Sequence, residues 1–152
     1  MAAQTQRIEI TLETLLDSVD LAESITMRIA EALGFGEEDM HKIGMSVREG
    51  VINAYNYGNQ QDRRKKILMT VELAPERMTI RVLDQGKGFN LQEVPDPLSE
   101  ENLLRTSGRG LFLMRAFMDE FDVRSGPGGG AELVMVKKIP SAVSGNGQRQ
   151  PE

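Results

Sequence analysis

The sequence predicts an α+β fold, a two-layer α/β sandwich in which helices cover one face of a mixed, mainly antiparallel sheet. Two observations carry that prediction. The hydrophobic period switches repeatedly between two and about 3.6 residues, and the later strands follow one another as hairpins rather than alternating strictly with helices. Length is a third: 152 residues with 39% hydrophobic content make one ordinary domain, large enough to bury roughly 70% of the surface its unfolded chain exposes. The domain is expected over 1–140. Positions 141–152, made mostly of Ser, Gly, Asn, Gln and Pro, have the composition of a flexible tail.

Arg7 to Glu13 alternates, with Ile8, Ile10 and Leu12 on one face, and reads as a first strand. Val19, Ala22, Ile25, Ile29 and Leu33 then recur at helical spacing; Asp17 or Ser18 is placed to cap this first helix and Gly34 to end it. A second helix is predicted from Glu37 to Tyr57, with Met40, Ile43, Val47, Val51 and Ala54 on its core stripe and Gly58 as its stop. Ile67 to Leu73 and Met78 to Asp84 flank a short connection through Pro75, as an antiparallel hairpin does. The segment between Gly86 and Gly110 exceeds the roughly 12–15 residues beyond which an unstructured loop suggests a lid or binding loop. Helical period returns from Gly110 to Asp119. Phe121 to Ser125 and Ala131 to Lys137 then pair around Gly126-Pro127-Gly128-Gly129-Gly130.

Composition excludes several chemistries. Eighteen basic against twenty-three acidic residues give a net charge of −5, which leaves no positive excess to neutralise a nucleic-acid backbone. With no cysteine there is no disulfide, thiolate metal site or thiol nucleophile. His41 is the only histidine, so a two-histidine metal site cannot form, and the residue reads as part of a helix surface. The methionines fall mostly at core-period positions and read as packing. No apolar run approaches the roughly 20 residues that span a bilayer, and the first residues lack the apolar core of a signal peptide. A soluble, cytoplasmic protein without direct nucleic-acid or membrane partners is expected.

Three places have the residue types and spacing for chemistry. Glu49 and Asn53 are four apart and share a helix face opposite the core stripe, flanked by Met45 and Ile52, so that something besides water is expected to cover it; spacing alone more often marks an ordinary solvated face. Asp84 keeps the parity of Met78, Ile80 and Val82 and so points to the core side, where a carboxylate needs a partner. It leads into Asp84-Gln85-Gly86-Lys87-Gly88, whose glycines let a ligand approach the backbone, although a plain Asp-x-Gly turn has the same pattern. Gly108-Arg109-Gly110 immediately precedes the third predicted helix, where free N–H groups and the helix dipole attract phosphate, or where Arg109 is simply a surface charge. No P-loop is present, and Leu113 stands where a dinucleotide fingerprint needs its third glycine.

Taken together, the order and separation of these boxes resemble the GHKL ATPases from about Arg7 to Lys138, which implies the Bergerat ATP-binding fold. The run from Ser46 to Ala54, and especially GRGLFLMRAFMDEF from Gly108 to Phe121, is similar to the anti-sigma serine kinases of the sporulation and general-stress switches. The resemblance implies ATP and Mg as cofactors, with Asn53 as the magnesium ligand and Glu49 as the catalytic base. It implies further that Asp84 binds the adenine amino group, that Gly86 and Gly88 shape the base pocket, and that Gly108, Arg109 and Gly110 form the phosphate-contacting end of a lid over 90–107. The implied partners are a sigma factor and a STAS-domain antagonist phosphorylated on serine, and a homodimer is left open. Ala131 replaces the family's common threonine and Tyr57 its frequent histidine, so one adenine contact is missing or replaced and local phosphate contacts differ. A passive nucleotide-responsive switch and a detached histidine-kinase ATPase domain are the alternatives.

Overall fold

Alternating apolar residues force the strands to share one buried side, and a single sheet satisfies them all. The computed structural model describes residues 5–88 and 108–140, of 108 and 109 the backbone alone. Its strands are β1 (Gln6–Glu13), β2 (Lys66–Leu73), β3 (Arg77–Leu83), β4 (Glu120–Ser125) and β5 (Ala131–Lys138). They lie in the order β1-β2-β3-β5-β4. The sequence predicts a mixed, mainly antiparallel sheet, and every described pairing is antiparallel. β4 does run parallel to β3, but β5 is inserted between them and pairs with both.

Register puts Ile80 opposite Val71 on one side and Met135 on the other. All three are fully buried, as are Ile67, Met69 and Met78 on the same face. The helices α1 (Asp17–Ala32), α2 (Glu37–Asn53) and α3 (Gly108–Phe117) supply the second layer. Helix α2 lies between the other two, packed along both, and touches β3 beneath it. Glycines let it sit close: a Cβ at Gly44 would lie 2.8 Å from Met27 Sδ of α1, and one at Gly50 would lie 3.3 Å from Leu133 Cδ1 of the sheet.

Three local details depart from the sequence pattern. Neither Asp17 nor Ser18 caps α1; the Ser18 hydroxyl instead donates to Glu13 O at 2.7 Å and fixes the strand-to-helix corner. Helix α3 begins at Gly108, so Gly108-Arg109-Gly110 is its first turn rather than the segment before it. Periodicity runs α2 on to Tyr57, whereas the α-helix ends at Asn53 and Ala54–Gly58 form a π-helical turn, closed by Asn59 N–H donating to Ala54 O at 2.7 Å. Such a turn inserts one residue and re-aims the chain beyond it. Here it delivers Gly58 and Asn59 to the end of β3.

Ser46 is fully buried on α2, and its hydroxyl has no hydrogen-bond partner among the described residues. Ser46→Ala should remove that desolvation penalty and improve helix propensity, stabilising the fold by about 1 kcal/mol. In urea unfolding the midpoint should rise with an unchanged m value. A lowered midpoint would mean that the hydroxyl has a partner in solution.

Candidate functional site

Asp84 follows β3 on the core side of the sheet and is 7% exposed. Its Oδ1 accepts from Gly86 N–H at 2.9 Å and from Ala131 N–H at 3.0 Å, and its own N–H donates to Ala131 O at 3.1 Å. A carboxylate this buried needs such donors. Oδ2 has no donor among the described residues, and it lies against Gly58 at the end of the π-turn. The backbone is crowded all round: a methyl at Gly58 would overlap the carboxylate, one at Gly86 would overlap Gly58 O, and one at Gly130 would overlap Asp84 O. Gly88, at φ +75°, is packed equally tightly against Gly129 O. Ala131, where the family resemblance implies a lost polar contact, keeps a backbone one.

A second clamp, on Asn59, carries no sequence signal beyond its place after Gly58. This side chain is fully buried. Its amide donates to Thr14 Oγ1 at 2.9 Å and to Lys66 O at 3.0 Å, and its Oδ1 accepts from Gln85 N–H at 2.7 Å. One side chain thus joins the β1–α1 corner, the start of β2 and the loop after β3. Gln60 and Gln61 follow at φ 53° and 62°, a left-handed pair that L-residues adopt at a cost of order 1–2 kcal/mol each. Beyond them the Arg64 side chain and N–H hold the Asp62 carboxyl well below its ordinary range.

On the outer face of α2, Glu49 and Asn53 are half-buried, while Val47 and Val51 on the opposite face are fully buried. What covers them is the first turn of α3. A Cβ at Gly110 would lie 2.8 Å from Glu49 Oε1 and 3.4 Å from Asn53 Nδ2, so a side chain there would have to displace the end of Glu49. Neither side chain has a hydrogen-bond partner among the described residues. The same helix end therefore carries Glu49 and Asn53 against α3 and, one π-turn further, Gly58 against Asp84.

The structure thus gathers Glu49, Asn53, Asp84, Gly86 and Gly110 along one helix end, with Gly88 at the β4–β5 turn beside them. Gly108 is in the same first turn of α3 as Gly110, as is the backbone of Arg109. The lid expected over 90–107 and the tail over 141–152 lie outside the described residues. No three His, Asp or Glu residues converge among the described residues. A single amide oxygen at Asn53 suits magnesium, which keeps water and phosphate oxygens in most of its positions. His41 is exposed on α2, and no described helix is long and apolar enough to cross a membrane.

Comparison with known proteins bears on the family and the fold. Residues 12–137 match the family described as the histidine kinase-like ATPase domain. An anti-sigma F factor of Clostridium perfringens is 33% identical over 104 residues, covering 67% of this chain and 74% of the relative. The serine-protein kinase RsbW of Listeria innocua is 28% identical over 145 residues, 91% of each chain. Among solved structures, one of the RsbU and RsbW domains of Rv1364c from Mycobacterium tuberculosis superposes with a TM-score of 0.63 at 18% identity, a likeness of fold; this chain covers 34% of that one, and 90% of this chain is matched. The chain belongs to the histidine kinase-like ATPase domain family and, within it, to the group of anti-sigma factors and serine-protein kinases.

Proposed function

We propose that this chain binds Mg-ATP between the end of α2 and the first turn of α3, and works in the cytoplasm as an anti-sigma factor and serine protein kinase. The observation that carries the reading is the Asp84 carboxylate: nearly buried, with Oδ1 taken by two backbone donors and Oδ2 left without one. A free acceptor in that setting matches the amino group of adenine. The partners proposed are a sigma factor, held in one state, and a STAS-domain antagonist, phosphorylated on serine in another. Relatives named anti-sigma F factor and serine-protein kinase support both halves of that role.

Each residue has a separate task. Asp84 orients the base, with Gly86 and Gly88 forming the backbone wall around it. The free N–H groups opening α3, in Gly108, Arg109 and Gly110, face the phosphates, where a helix N-terminus favours an anion. Asn53 would hold the magnesium ion, which when bound supplies positive charge to the phosphate oxygens. Glu49, one turn before Asn53, accepts the proton of the substrate serine. The serine oxygen then bonds to the γ-phosphorus, the bond to the β–γ bridging oxygen breaks, and ADP leaves.

Two experiments separate recognition from transfer. Asp84→Asn keeps an acceptor for Gly86 and Ala131 but turns a donor toward the base. In calorimetry it should weaken Mg-ADP by about tenfold or more, roughly 1.4 kcal/mol, while inorganic tripolyphosphate binds as before; equal losses for both ligands would remove Asp84 from base recognition. Glu49→Ala should leave Mg-ATP affinity within about tenfold yet slow phosphoryl transfer to a STAS-domain serine by about 10²-fold. Asn53→Ala should damage binding and transfer together. Transfer at the wild-type rate by Glu49→Ala would disprove the base, and a nucleotide-sensitive complex in which no serine is ever phosphorylated would favour a passive switch.

A further inference from the structure

Gly58 has no conformational reason to be glycine. It lies in the π-helical turn, and the described glycines with positive φ are Gly34, Gly88 and Gly129. At a helical φ, alanine is favoured over glycine by about 0.5–1 kcal/mol. What excludes alanine is space. A methyl on Gly58 would overlap Asp84 Oδ2 and Cγ and lie 2.8 Å from its Cβ. The carboxylate has no free direction of retreat, because swinging it away breaks the bonds from Gly86 N–H and Ala131 N–H to Oδ1. Nor can the helix end withdraw, since Gly58 O is pressed on Gly86 and Asn59 is tied to Thr14, Lys66 and Gln85.

We infer that Gly58 is a specificity-determining residue: by leaving its side-chain space to Asp84, it keeps Oδ2 aimed as the acceptor for a 6-amino purine. The inference rests on the adenine-nucleotide reading and adds to it the residue that sets the position of the acceptor. Gly58 acts through Asp84 and is a positioning residue. Its signature is therefore loss of discrimination between bases, with phosphate binding intact.

The test is calorimetry on the full chain with Mg-ATP, the Mg complex of purine riboside triphosphate, which lacks the 6-amino group, and tripolyphosphate. The wild type should prefer ATP over the purine riboside nucleotide by about tenfold or more. Gly58→Ala should bind the two nucleotides equally and tripolyphosphate as the wild type does. A folded Gly58→Ala that keeps the wild-type preference overturns the inference, as does a wild type that binds both nucleotides equally. A wild type with no affinity for any adenine nucleotide overturns the parent reading instead. Should Gly58→Ala fail to fold, Asp84→Ala and Gly58→Ala/Asp84→Ala are unfolded side by side in urea: equal midpoints support the steric coupling, and a double variant that fails to fold where Asp84→Ala folds contradicts it.

Discussion

A buried carboxylate has to be surrounded by donors, and in this protein the donors come from backbone that must therefore be very close. Asp84 receives N–H groups from the loop beyond it and from the first residue of β5, and presses its second oxygen on the end of α2. Three segments distant in sequence are thereby held at backbone contact, with Gly58, Gly86 and Gly130 at the points where side chains cannot fit. Charge-assisted bonds of this kind are worth about 1.5–3 kcal/mol each, and leaving the charge unpaired would cost more. Those contacts together hold the Asp84 carboxylate in one orientation.

The rest of the site depends on how α2 lies on the sheet. Its inner face, with Ile43, Val47 and Val51, is buried against the core, and Gly50 lets it settle close above Leu133. Helical geometry then turns Glu49 and Asn53 away from the sheet. Left bare, that face would be a solvated one; instead the first turn of α3 lies on it through Gly110. Insertion of β5 between β3 and β4 contributes indirectly, because it sets Ala131 beside Asp84. The π-turn completes the geometry by changing the helical phase between Asn53 and Gly58, so that one helix end serves two partners. Asn59 locks that end with a fully buried side chain.

Much of this is legible in the sequence, and the remainder is hidden for a common physical cause. Element order comes from hydrophobic period, a local property, and the parity that aims Asp84 at the core is equally local; burial of Met78, Ile80 and Val82 bears it out. The i, i+4 spacing of Glu49 and Asn53 gives their shared face, and the flanking Met45 and Ile52 the expectation of a cover, but neither says that the cover is α3. Contacts between distant segments leave no periodic trace. Gly58 reads as a helix stop because a stop and a steric necessity look alike in one sequence. Asn59 has no signal of its own in the sequence, although it is fully buried. The π-turn is hidden because Ala54 still falls on the helical stripe, and β5 is placed inside the sheet by pairing energies that no single strand contains.

On the proposed function, the Asp84 clamp, the outer face of α2 and the first turn of α3 form one nucleotide site. The most direct measurement is an amide chemical-shift titration of the folded chain with Mg-ADP. The Gly86, Gly110 and Ala131 amides should move together and saturate at one ligand concentration, while those of Glu9 and Thr11 on the edge strand stay in place. Movement of Gly86 and Ala131 without Gly110, or saturation at separate concentrations, would contradict a single site.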